Sequence, residues 1–246
     1  MSADGKYAFV TSMSNTGLKR ISLDGNHQLV SISDALGAGI EPVISANGEQ
    51  VLHGADQYDE QHLRQTSLRF VDLAKGSDGE VMHAQRQVKA TAKHAQLAGG
   101  RPVVQSQDLM IQLTVDGVTT TLAPNGDGED VNYIWASLSP SGTRILYYVS
   151  DEGAYVCNLQ GEEVQFVAYD LQAPQWYDDN TVVGMKTADD GHFITSSAIV
   201  TYTLDGDRQV LTDKSLRLMY PFCSCAAGRI MCSSANGELY MLNLKK

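Results

Sequence analysis

Tight-turn dipeptides recur along this chain at a spacing that only a repeated β architecture explains. Asp4-Gly5, Asn47-Gly48, Gly99-Gly100, Ser141-Gly142, Asp179-Asn180 and Ala227-Gly228 form one series, their second residues 43, 52, 42, 38 and 48 positions apart. A second series ends in Gly25, Gly76, Gly117, Gly161 and Gly206, mostly within Leu-Asp-Gly-like triplets. Gly, Asn and Asp suit such positions because hairpin turns need φ > 0, which these residues adopt at low cost. Two interleaved turn series divide each period into four strands, and units of that length repeated around an axis make a β-propeller. The expected fold is therefore all-β, a single domain over residues 1–246. It has six blades of four antiparallel strands, near 1–33, 34–84, 85–124, 125–168, 169–213 and 214–246.

The runs between turns are short, β-branched or aromatic, and bounded by Gly, Asn and Asp, as strands are. In the second blade they are Pro42 to Ser45, Gln50 to His53, Leu68 to Leu73 and Glu80 to His83; in the third, Ala95 to Ala98, Pro102 to Gln105, Leu109 to Val115 and Val118 to Leu122. The fourth blade reads Trp135 to Ser139, Arg144 to Val149, Ala154 to Leu159 and Glu163 to Val167. No segment has a convincing amphipathic helical pattern; the best, Asp59 to Gln65, falls in a loop. The terminal blades read as incomplete. The first begins with Ser2-Ala3 at the end of its innermost strand, and the last stops after its third, Glu238 to Leu244. An upstream segment of roughly 20 residues, two ordinary strands and a connection, would complete both and remove the exposed edges.

The net charge of −11 and pI near 4.8 argue against nucleic acid and anionic membrane surfaces, which reward Lys and Arg. No stretch approaches the ~20 apolar residues of a membrane helix. The first residues carry no apolar core of a secretion signal, which says nothing about export if the chain extends upstream. Four cysteines, Cys157, Cys223, Cys225 and Cys232, are too few for a disulfide framework and lack zinc-site spacing. If Ala227-Gly228 closes a two-residue turn, Cys223 faces Cys232 across a hairpin with Cys225 on the same face. A buried reduced cluster and, in an oxidising compartment, a Cys223–Cys232 bridge are both open.

Strand alternation places the tight turns on one rim and the longer connections on the other. The long segments are Asp56 to Thr66, His83 to His94, Ala123 to Asn132 and Lys186 to Ser196, and that rim as a whole, its shorter connections included, holds most of the acidic excess. Long loops on a rigid scaffold are where binding concentrates. Three clusters mark candidate ligand contacts: Asp56, Tyr58, Asp59 and His62; Asp127 and Asp130, with Tyr133 nearby; and Asp189, Asp190 and His192. Asp127, Glu129 and Asp130 alternate with glycine as calcium ligands do, without the spacing or final bidentate Glu of an EF-hand. Trp135 and Trp176 fall at inner-strand positions, where packing between blades is the first expectation and an aromatic platform for a sugar or peptide the second.

Ala173-Pro174-Gln175-Trp176-Tyr177-Asp178-Asp179-Asn180 resembles the x-P-x-W-S-P-D-G signature of the TolB-like, WD40-like (PD40-type) propeller repeat. Further copies look like it at Ser2 to Phe9, Pro42 to Gly48 and Ser139 to Ile145. The third and sixth units depart from it, with Gly99-Gly100 and Ala227-Gly228 in place of Pro-Asp-Gly. The resemblance implies a bacterial protein in an extracytoplasmic setting, the periplasm or cell surface. It carries over no catalytic residue, because the motif consists of turn and core positions. The chain holds no G-x-S-x-G, H-E-x-x-H or phosphate-binding G-x-x-x-x-G-K-[ST]. The reading reached is a non-catalytic binding or scaffolding propeller with no cofactor, engaging a protein, peptide or glycan through its acidic, loop-rich rim. A glycan lyase or hydrolase using carboxylates with His62 or His192 is the rival, and a regulatory propeller of a larger hydrolase the third reading. Two carboxylates and a histidine converging in one pocket would favour the enzyme.

Overall fold

The structure, a computed structural model, describes residues 1–40, 42–45, 47–74, 80–83 (as backbone), 101–224 and 226–244. It is all-β apart from one 3₁₀ turn, Lys214–Leu216. The strands form six small antiparallel sheets, three of four strands and three of three among the described residues. The expected strand Ala95 to Ala98, the turn at Gly99-Gly100, Gly76, Cys225 and the segment after His83 up to His94 lie outside the described residues.

Two compact units are present. The first comprises Met1–Arg101 with the turn Val115–Gly117, the second Pro102–Thr114 and Val118–Lys246. In the first unit, β1 (Tyr7–Val10), β2 (Leu18–Ser22) and β3 (Leu29–Ser33) make one sheet. A second contains β4 (Val43–Ile44), β5 (Gln50–Tyr58), β6 (Arg64–Asp72) and β7 (Glu80–His83). Leu18, Ala38 and Val51 are buried between them, with Phe9, Ile32 and Ile44 packed around.

The second unit has four sheets. They are β8 (Val103–Gln107), β9 (Met110–Val115) and β10 (Val118–Leu122); β11 (Tyr133–Leu138), β12 (Arg144–Val149), β13 (Gly153–Asn158) and β14 (Gln165–Ala168); β15 (Gln172–Trp176), β16 (Thr181–Asp189), β17 (Ile194–Thr203) and β18 (Arg208–Val210); and β19 (Leu218–Ser224), β20 (Arg229–Ser234) and β21 (Leu239–Asn243). Successive sheets bury apolar side chains against one another. Leu146 and Val156 of one meet Leu171, Trp176, Val182 and Val200 of the next, whose other face packs Val183 and Ile199 on Leu218 and Ile230. Trp176 donates its indole N–H to Ser137 O of the preceding sheet at 3.3 Å, and Trp135 packs against the cluster of Ala173, Val183 and Leu218 in the sheets that follow. Both tryptophans are thus inter-sheet packing residues.

The tight turns differ from the expected two-residue primed form. In Ser139 to Gly142, Gly142 N–H donates to Ser139 O at 2.9 Å and only Gly142 has positive φ (78°). Gly5 and Gly48 repeat this with φ of 71° and 70°. These are four-residue connections built on an ordinary turn with one left-handed residue at its end. The serine that opens each turn is buried and holds it closed. Ser45 Oγ accepts from Gln50 N–H at 2.9 Å and donates to Asn47 Oδ1 at 2.7 Å; Ser2 does the same with Tyr7 N–H (3.0 Å) and Asp4 (2.7 Å). Ser139 Oγ accepts from Thr143 and Arg144 N–H at 3.2 and 3.1 Å. Ser139→Ala leaves those two amides without their partner. We expect a loss of about 1–2 kcal/mol, read as a lower midpoint in chemical denaturation. An unchanged midpoint would show that the hydroxyl is not what closes the turn.

The same turn geometry corrects the cysteine register. The β19–β20 connection pairs Ser224 with Arg229 and Cys223 with Ile230, two residues away from the register a two-residue turn would set. Cys232 lies opposite an irregularity between Met219 and Phe222, pairs on its other side with Tyr240, and is a free buried thiol. Burial pushes the Cys232 and Cys157 thiols up to about 12, so both stay protonated and pack as small apolar groups.

Candidate functional site

Two of the expected long loops are hairpins. Pairing continues from Ala55↔Ser67 through Asp56↔Thr66 and Gln57↔Gln65 to Tyr58↔Arg64, so only residues 59–63 form the connection. In the other sheet it runs through Thr187↔Ser197 and Ala188↔Ser196 to Asp189↔Ile194, leaving 190–193 at the tip. The polar composition that reads as loop belongs to strands projecting beyond their apolar base, where neither face needs apolar side chains. Of the long segments, Ala123 to Asn132 is a loop as expected.

At the first tip Asp59 organises the turn. Its carboxylate accepts from Leu63 N–H at 2.8 Å and Gln61 N–H at 3.0 Å and meets Gln65 Nε2 at 3.2 Å. The Leu63 amide is the main reason that carboxyl sits below the usual range, with desolvation opposing it and the Gln65 and Gln61 bonds adding to it. Asp56 is drawn inward. Its side chain is 5% exposed, bound to Arg64 at 2.8 Å and to Thr66 Oγ1 at 2.7 Å, and it lies against Gly37, where φ is 78°. It is a structural acid tying the base of the hairpin to the preceding loop, and is not presented to a ligand as expected from sequence. Tyr58 and Leu63 are presented, 59% and 62% exposed; His62 is exposed with φ of 60°.

The second tip repeats the device. Asp190 Oδ1 accepts from Phe193 N–H at 2.8 Å and His192 N–H at 3.0 Å, and these bonds lower its carboxyl. Asp189 accepts from Gly191 N–H at 3.0 Å. His192 is exposed, and Phe193, 76% exposed, stands at the end of the hairpin. Neither Leu63 nor Phe193 is among the contacts expected from sequence; a large apolar residue within a polar turn was the available signal.

The third cluster is held from below. Tyr133, expected at a binding surface, is fully buried: its phenol oxygen accepts from Asn125 N–H and donates to Gly126 O, both at 2.8 Å. Tyr147 OH donates to Asn125 Oδ1 at 2.7 Å. Burial raises both phenols above the usual value, so they remain donors throughout the working pH range. Asp127, Glu129 and Asp130 are exposed, and among the described residues no three His, Cys, Asp or Glu side chains come together to hold a metal ion. His53, buried in β5, lies 2.6 Å from Gly54 O through Nδ1; burial lowers its pKa and leaves a neutral core imidazole.

Carboxylates lowered by backbone N–H donors are ionised acceptors and make poor proton donors at neutral pH. What the tips can offer chemically is fixed shape, negative charge and exposed apolar surface.

No family model matches the chain and no curated protein matches it. Its likeness is to solved structures. The WD40 β-propeller domain of Doa1 is similar at 14% identity with a TM-score of 0.50, covering 100% of this chain and 91% of that one. An oligogalacturonate lyase from Vibrio parahaemolyticus is similar at 12% identity with a TM-score of 0.51, over 98% of this chain and 74% of that one. An oligogalacturonate lyase in complex with manganese matches at 13% identity and 0.53, over 100% and 76%. At such identity the likeness carries fold alone, and it supports a WD40-like β-propeller.

Proposed function

We propose that this chain is a non-catalytic six-bladed propeller of the TolB-like kind, with four-stranded blades, that binds a protein or peptide partner through its projecting hairpins. One observation carries the reading. At the two tips Asp59, Asp189 and Asp190 are engaged in holding their own turns, while Tyr58, Leu63 and Phe193 face solvent beside them. Rigid apolar anchors rimmed by fixed negative charge suit a partner segment that is apolar and basic. A bacterial, extracytoplasmic setting belongs to the same proposal and rests on the signature residues around Trp176.

The test is a pull-down from the source cell envelope with the wild-type chain, a Tyr58→Ser/Leu63→Ser variant and a Phe193→Ser variant. These side chains are exposed, so the variants should keep wild-type thermal midpoints. Expected is a shared captured protein, lost or weakened by at least about tenfold when an anchor is removed, on the order of 1.4 kcal/mol or more. Equal capture by all three proteins would sink the proposal, as would turnover of an oligogalacturonate by the wild-type chain.

A further inference from the structure

The acidic chain carries one concave basic site that its sequence does not advertise. A cleft of about 460 Å³ opens on the face of the β15–β18 sheet, closed at one side by the 3₁₀ turn. Lys186 of β16, Arg208 of β18 and Lys214 of the turn all line it. Strand register explains why they meet. Lys186 pairs with Ala198, and Val200 with Val210, so Lys186, Ala198, Val200, Val210 and Arg208 share one face of the sheet. They are 22 and 28 positions from Lys186 at Arg208 and Lys214, too far apart to form a cluster in the linear sequence.

Asp213 is the single acidic residue of the lining, and its carboxylate is already engaged: the Ser215 side chain first, and Ser215 N–H at 2.8 Å second, lower its carboxyl below the usual range. None of the three cations makes a salt bridge among the described residues. Three positive charges against one thus converge in a recess of a protein whose net charge is −11. Like charges gathered in one recess repel one another, and an anion that enters relieves that repulsion while gaining attraction from all three. The Ser196 hydroxyl at the edge is free to donate a hydrogen bond. The apolar part of the lining is chiefly the half-exposed Val210, with Ala198 and Val200 buried behind it. Apolar surface beside the cations fits an anion carried on a carbon skeleton better than a bare inorganic ion.

We propose that this cleft is a binding site for a small polycarboxylate. It lies on the stem of the β16–β17 hairpin, short of the tip at 190–193, and uses none of the anchors Tyr58, Leu63 and Phe193. Citrate and pyrophosphate serve as probes in isothermal titration at low ionic strength, against the wild-type chain, Lys186→Met/Arg208→Gln, Lys214→Gln and the charge-keeping Arg208→Lys. Lys186→Met preserves the aliphatic stem, and thermal midpoints of the unliganded variants report on folding. Citrate should bind saturably, its affinity should fall at least about tenfold in Lys186→Met/Arg208→Gln and less in Lys214→Gln, and Arg208→Lys should retain most of it. Added salt should weaken wild-type binding and affect the double variant little. No saturable citrate binding, equal binding by the double variant, or a preference for pyrophosphate would each overturn the assignment.

Discussion

Gly184→Val should cost this protein about 3 kcal/mol, which for a chain of this length lowers the thermal midpoint by roughly 6–12 °C. Gly184 lies within β16, opposite Val200, and is buried. A Cβ placed there would lie 2.5 Å from Leu171 Cδ1, 2.7 Å from its Cγ and 3.0 Å from Gln172 O. Leu171 has nowhere to go, because it is fully buried in the cluster with Trp176, Val182 and Val200. Gln172 O belongs to the neighbouring strand, so relief would require pulling β15 away from β16. Valine is otherwise a better strand residue than glycine, which makes the sign of the result informative: propensity predicts a gain, packing a loss. Gly206→Ala is the control. Its φ of 99° disfavours a side chain but nothing lies within 4 Å, so the penalty should stay near 1 kcal/mol. A Gly184→Val protein as stable as wild type would mean the two strands sit further apart than described.

Removing the Tyr147 ring should be at least as damaging. The residue is fully buried, stacked on Tyr155 at 5.8 Å and tilted against Tyr133 at 5.7 Å. Tyr147→Ala opens a ring-sized cavity and should cost about 3–5 kcal/mol. Tyr147→Phe separates packing from hydrogen bonding. It keeps the ring but leaves Asn125 Oδ1 without its 2.7 Å donor, a loss of about 1 kcal/mol. The two variants should also differ in reach. In Tyr147→Phe, faster amide exchange should appear mainly in the 124–131 loop, because Tyr133 still holds Asn125 N–H and Gly126 O from the other side. Exchange that stays at wild-type rates in that loop would show that Tyr147 does not position it. Glycan or peptide contacts sought among Asp127 and Asp130 are best measured against this variant, which moves the loop without altering its charges.

The sheets were largely legible in the sequence. Strands at 144–149 and 80–83 fall where β-branched runs between turn residues put them, and those at 103–107, 110–115 and 118–122 follow closely. Alternation and punctuation are local properties, set by φ/ψ preference and by which side chains avoid water. The strands at 50–58 and 181–189 were read too short for a local reason as well. Each contains a glycine, Gly54 or Gly184, and then turns polar, which locally looks like a strand ending. Only the backbone ladder, formed with residues 64–72 and 194–203, carries them further.

The recurring turns were therefore determined by the sequence alone, because a glycine at positive φ and a serine two residues before an Asp, Asn or Ser act within a few residues of each other. What those turns leave open is register, and register belongs to the tertiary structure. One shift of two residues separates Cys223 from Cys232, and the pairing of β16, β17 and β18 gathers Lys186 and Arg208 beside Lys214. The same is true of burial. Nothing local distinguishes Asp56, drawn against Gly37 and Arg64, from Asp59, or the submerged Tyr133 from the exposed Tyr58. Burial is decided by what packs on a residue from distant parts of the chain, and charge in a cleft by which distant strands bring their cations to one face.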